Sequence, residues 1–209
     1  MLTVVGNLKG GTGKSTVAFN LAVWLAQHKI GVKAFELDPQ CTLVDVNAVR
    51  VEDGYEPAFE VSTDLAELEA AAKDKKHKQP IIFDISATNM FAMEKAISLA
   101  DRILIPVQPS QADIWSTQRF LKIVNNNINK KKKTEVFGFL NRADTHIGVR
   151  ETDEVEEALK MMQGINPLGI RLHQRTAYRR SFSEGLGVFE LDPMGKASKE
   201  MKKLATMLD

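Results

Sequence analysis

The sequence predicts an α/β fold of three α/β/α layers around a mostly parallel sheet. Three observations predict it. Short apolar or β-branched runs alternate with longer amphipathic stretches along the chain. The runs are apolar on both faces, as strands covered by helices on both sides must be. A glycine-rich bend joins the first run to the first amphipathic stretch. In order, Leu2–Val5 reads as a strand and Lys14 to about His28 as a helix. Val32–Leu37 is a second strand, Leu65–Ala72 a helix, and Pro80–Asp84 a buried strand ending in a carboxylate. Met90–Leu99 is helical, Arg102–Val107 a strand, Ala112–Ile128 a long helix and Val136–Leu140 a strand. Glu151–Met162 is helical, Leu168–Arg171 a short strand and Lys196–Leu208 a closing helix. In parallel sheets ligands sit beyond the carboxyl ends of the strands, so candidate site residues are those that follow them.

A length of 209 residues with 44% hydrophobic content suits one domain with a sizeable core. The biased stretch Asn125–Lys133 reads as a helix end entering a solvated loop, so a single domain over 1–209 is expected. A net charge of +1 does not imply attraction of the whole molecule to nucleic acid and leaves that task to local patches. The lone Cys41 excludes an internal disulfide framework, fits a reducing cytosol and is expected to be a small buried side chain. Met1 runs into Leu2-Thr3-Val4-Val5 without a basic start, and no apolar run approaches the ~18 residues of a membrane span. A cytoplasmic location is expected.

Gly10-Gly11-Thr12-Gly13-Lys14-Ser15 follows a strand and opens a helix, the context a phosphate-cradling loop needs. Glycines let backbone N–H groups point inward without side-chain collision, and the helix N-terminus adds partial positive charge. Lys14 is placed to reach the β- and γ-phosphates of ATP, and the Ser15 hydroxyl to ligate Mg2+. The ordinary pattern has a glycine where Leu8 stands, and a second lysine, Lys9, follows.

Lys9-Gly10-Gly11-Thr12-Gly13-Lys14-Ser15-Thr16 resembles the deviant phosphate loop of the ParA/MinD family of P-loop ATPases. The resemblance implies an ATP- and ADP-binding protein that dimerises in its ATP state, with Lys9 reaching across the interface to the partner's nucleotide. Asp38-Pro39-Gln40 looks like the family's second motif, in which the Asp orients the attacking water. Phosphoryl transfer needs mainly positioning and charge neutralisation, so one well-placed carboxylate suffices. Ile81-Ile82-Phe83-Asp84 has the form of a Walker B element, with Asp84 holding the magnesium shell through water. Family members usually continue with prolines, whereas this chain has Ile85-Ser86-Ala87-Thr88. Ala100–Ser110 with Asp113-Ile114-Trp115 is similar to a strand and loop of ParA proteins. Phe137–Arg142 resembles the strand whose terminal Asn contacts adenine, which makes Asn141 the candidate for base recognition. The likeness runs from residue 2 to about residue 190.

The chain opens on its first strand, so it resembles the short ParA class without an N-terminal DNA-binding extension. What this resemblance implies is nonspecific binding to nucleoid DNA in the ATP state and hydrolysis stimulated by a cargo- or centromere-bound ParB-like partner. Arg175, Arg179 and Arg180 are the candidate DNA contacts. Further basic clusters stand at Lys130–Lys133 and at Lys196, Lys199, Lys202 and Lys203. A MinD-like membrane-cycling regulator is one alternative. The tail Lys199–Asp209 carries one apolar stripe of Met201, Leu204, Ala205 and Leu208 without bulky aromatics, which reads as core packing and not as a membrane anchor. A small-molecule biosynthetic enzyme on the same scaffold is the other alternative.

Overall fold

The computed structural model describes residues 1–29, 31–74, 76, 79–146 and 150–208. The elements are β1 Leu2–Val5, α1 Lys14–His28, β2 Lys33–Glu36, α2 Thr42–Glu52, β3 Glu60–Ser62, α3 Leu65–Lys73, β4 Ile81–Asp84, α4 Met90–Leu99 and β5 Arg102–Val107. They continue with α5 Gln111–Asn127, β6 Glu135–Ala143, α6 Arg150–Lys160, β7 Asn166–His173, α7 Thr176–Ser183, α8 Val188–Leu191 and α9 Lys196–Thr206. Seven strands form one sheet in the order β3-β2-β4-β1-β5-β6-β7. Every strand pair is parallel, so the mostly parallel sheet read from the sequence is parallel throughout.

Strand side chains alternate between two cores because successive Cβ atoms point to opposite faces. Val5, Ala34, Ile82 and Leu104 join α1, α2, α8 and α9 on one face. Leu2, Val4, Phe35, Phe83, Ile103 and Ile105 join α3, α4, α5 and α6 on the other. Three layers result, as the doubly apolar strands require. The apolar stripe of the last helix packs into the first of these cores, with Met201 and Leu204 fully buried. Asp209, which closes the tail, lies outside the described residues. Among the described residues no helix is long and apolar enough to cross a membrane.

The sequence reading passes over four elements: α2, β3, α7 and α8. It also stops β6 at Leu140, whereas the strand continues to Ala143 through a register shift between Asn141 and Ala143. Arg142 takes up the irregularity with φ 56, a left-handed conformation uncommon for a side-chain-bearing residue. Cys41 departs from its expected burial: it is half-buried and left-handed at φ 49, on the turn before α2.

Candidate nucleotide site

Because all strands run the same way, their carboxyl ends share one edge of the sheet. β1 is flanked there by β4 and β5, with β2 beyond β4 and β6 beyond β5. That order brings together the loop after β1, the turn after β2, Asp84 at the end of β4 and Asn141 in β6.

The loop is shaped for an anion. Gly11 and Gly13 sit at φ 75 and φ 86, and a Cβ added at Gly10 or Gly11 would meet nothing within 4 Å. Gly13 is also the cap of α1 and supplies no side-chain acceptor. The first N–H groups of α1 therefore face the cleft uncapped, the arrangement that favours a bound phosphate. Two polar side chains hold the loop from outside. Gln108 Nε2 donates to Gly11 O at 2.6 Å and Asn141 Nδ2 to Thr12 O at 2.6 Å. Buried Asn7 is fixed by donation to Pro106 O at 3.1 Å and by the Ser116 hydroxyl at 3.2 Å.

The charges are arranged in depth. Lys14 Nζ donates to Lys9 O at 3.1 Å, and burial lowers its pKa against the opposing pull of Asp84 and Asp38. Asp84 is almost wholly buried, which pushes its carboxyl up to about 7; a hydrogen bond from Ser15 opposes the rise and Glu36 adds to it. Its Oδ1 has no hydrogen-bond partner among the described residues. A buried carboxylate held beside a hydroxyl, with one oxygen unsatisfied, fits a hard divalent cation such as magnesium. Asp38 is half-buried, and its Oδ1 accepts from Gln40 N–H at 3.0 Å. Glu36 is fully buried opposite Asp84 in the β2–β4 register. Lys9 Nζ pairs with Asp113, whose side chain is fully buried at the start of α5 and also accepts from the Ser110 hydroxyl.

Two clefts meet here. One of about 340 Å³ is lined by Gly10, Lys14, Ser15, Asp38, Gln40 and Ser86. The other, about 430 Å³, is lined by Asn141, His173, Gln174, Arg175, Tyr178 and Arg179. Gly13, Thr16, Arg142 and Phe182 belong to both. The first is walled by glycines, Lys14 and polar side chains, and the second by aromatic and amide side chains.

Lys14, Ser15, Asp38, Asp84, Asn141 and the glycine bend thus converge as the sequence places them. The three arginines separate. Arg175 donates to Glu200 Oε1 from Nε at 3.0 Å and from Nη2 at 2.6 Å, and Arg175 and Arg179 both line the larger cleft. Arg180 is exposed and paired with Glu184 at 2.9 Å. Gln108, Asn7, Glu36 and Arg142 join the site without being among the residues the sequence singles out. A polar residue within or beside an apolar strand run was the available signal for Asn7, Glu36 and Gln108; nothing in the sequence marks the backbone turn of Arg142.

Residues 3–189 match the family described as the CobQ/CobB/MinD/ParA nucleotide binding domain. The maintenance of carboxysome distribution protein A of Halothiobacillus neapolitanus is 25% identical over 203 residues, covering 93% of this chain and 89% of that protein. The protein ParA of Rhizobium radiobacter is 28% identical over 192 residues, covering 88% and 83%. The fold matches the septum site-determining protein MinD of Pyrococcus horikoshii, solved with Mg-ADP, at a TM-score of 0.73 and 20% identity, covering 100% of this chain and 95% of that one. With its phosphate loop, its two carboxylate-bearing strand ends and a family match spanning most of its length, this chain belongs to the CobQ/CobB/MinD/ParA nucleotide-binding family.

Proposed function

We propose that the chain is a magnesium-dependent ATPase switch of partition or positioning type. Its ATP form is a homodimer, closed by Lys9 reaching the nucleotide of the partner subunit. That form binds DNA nonspecifically through Arg175, Arg179 and Arg180 and so associates with the nucleoid. A cargo- or centromere-bound ParB-like partner then stimulates hydrolysis and releases it. The observation that carries this reading is the pair of lysines on one glycine bend. Lys14 faces the cleft, while Lys9 is held at its rim by Asp113, with its side chain 37% exposed. The likeness of Lys9–Thr16 to the ParA/MinD phosphate loop supports a role for the second lysine at the partner subunit's nucleotide, for which Lys9 must leave Asp113.

The residues divide the work. Gly10 to Thr16 with Lys14 hold the triphosphate, Ser15 and Asp84 hold magnesium, and Asn141 lines the wall of the base cleft. Bound magnesium supplies neutralisation of phosphate charge. Asp38, fixed by the Gln40 N–H, orients the attacking water. Relatives named for carboxysome distribution and as ParA support the positioning role.

Gel shifts on random-sequence DNA, run beside sedimentation with anionic liposomes, test the reading. DNA binding with ATP and Mg2+, lost with ADP, is expected. Binding to lipid alone favours the membrane-cycling alternative, and turnover that follows a small-molecule substrate but ignores DNA favours the biosynthetic one.

A further inference from the structure

Glu36 sits two residues before Asp38, fully buried, and it has no place among the roles assigned above. Its Oε2 accepts from Leu43 N–H at 2.8 Å and from Val44 N–H at 2.9 Å, both in the first turn of α2. That helix needs an outside partner. Its cap residue Cys41 lies at φ 49 and makes no side-chain capping bond, so the first-turn donors would otherwise be orphaned in the core. A carboxylate meets both the donors and the positive end of the helix dipole. Glu36 therefore closes the chain from β2 to α2 into a stapled loop. Within the loop, Gln40 N–H holds Asp38 Oδ1 at 3.0 Å and Cys41 N–H holds Asp38 O at 3.0 Å. Asp38, Gln40 and Thr42 line the phosphate cleft together.

We infer that Glu36 is the positioning residue for Asp38: by fastening the first turn of α2 to the end of β2, it fixes the turn that aims Asp38 into the cleft. Glutamate reaches the helix where aspartate, shorter by one methylene, falls short. This inference rests on the water-orienting role proposed for Asp38.

The test measures ATP affinity and turnover in Glu36→Ala, Glu36→Gln and Glu36→Asp, each also in an Asp38→Ala background. Glu36→Ala is expected to bind ATP within about threefold of the parent while kcat falls about a hundredfold, the scale of an ångström of misplacement. Glu36→Gln keeps an acceptor oxygen at the same reach and restores most of the rate, whereas Glu36→Asp stays slow. With Asp38 already replaced, Glu36→Ala should cost no further turnover, because the two act as a unit. Parental turnover in Glu36→Ala, equal losses in affinity and rate, or additive losses with Asp38→Ala would each overturn the inference. If Glu36→Ala does not fold, the order of Gln above Asp decides, and the reverse order refutes. Parental turnover in Asp38→Ala alone counts instead against the role of Asp38, and so separates the two failures.

Discussion

Asp84→Asn replaces an almost wholly buried carboxyl with a neutral group of the same shape. The carboxyl sits at about 7 against an ordinary 3.8, chiefly through burial. At 1.36 kcal/mol per unit, that displacement corresponds to about 4 kcal/mol as a ceiling. Because the folded carboxyl holds its proton to higher pH than the unfolded one, the native state binds the extra proton between about pH 4 and 7. Stability therefore falls as pH rises through that window and is flat above it. About 2.5 kcal/mol of the fall lies between pH 5 and 8, or roughly 5–10 °C in melting temperature for a chain of this size. Thermal unfolding by circular dichroism in EDTA, without nucleotide, reads it directly. Glu36, whose pKa burial also raises, contributes in the same direction, so the difference between parent and variant at each pH reads Asp84 together with its coupling to Glu36. Asp84→Asn should match the parent only below about pH 4 and melt above it by a margin that grows from pH 5 to pH 8, yet lose magnesium-dependent nucleotide binding. Equal melting temperatures at pH 8 would refute the claim that this carboxylate is held at a cost until a cation meets it.

Other consequences are independent of that one. Gly13→Ala places a methyl on the Asn141 amide and forces φ 86 on alanine, so titration calorimetry should show ATP affinity lost by at least about tenfold, while Gly54→Ala, a strained but remote site, spares it. Asp38→Ala should bind ATP normally, hydrolyse it at least about a hundredfold more slowly in a phosphate-release assay, and accumulate as dimer. Arg179→Ala with Arg180→Ala should flatten the salt dependence of DNA binding by about 0.9 per lost phosphate contact in a log–log plot. An unchanged slope moves the DNA surface elsewhere.

The elements legible in the sequence are those whose buried residues are apolar. α1 buries an almost continuous apolar run from Val17 to Trp24, and β5 is apolar on both faces; both have the bounds read from the sequence. α2 was hidden because its buried face includes Asn47 and Arg50 beside Leu43 and Val46. Arg50 is fully buried, and its guanidinium satisfies Glu190, Gly185 O and Pro57 O, a network whose partners lie far apart in sequence. β3 is a three-residue edge strand reading Glu-Val-Ser, too short for alternation to register. α7 is polar and arginine-rich and buries only Ser181, so composition suggested a charged surface where the fold makes a cleft wall. The phosphate loop and both strand-end carboxylates were visible because their chemistry is local, set by glycines, a lysine and strand termini. Glu36 and Gln108 show in the sequence only as polar residues within or beside apolar runs, without the partners that give them a role, and the bulge at Arg142 leaves no local mark.

In the proposed switch, two subunits close over ATP. Light scattering coupled to size exclusion, with saturating ATP and Mg2+ and Asp38→Ala to slow turnover, measures it most directly. The predicted result is a mass that doubles with ATP, returns to that of one subunit with ADP, and fails to double when Lys9 is also replaced by alanine. A single-subunit mass under saturating ATP, or a dimer indifferent to Lys9, would contradict the account.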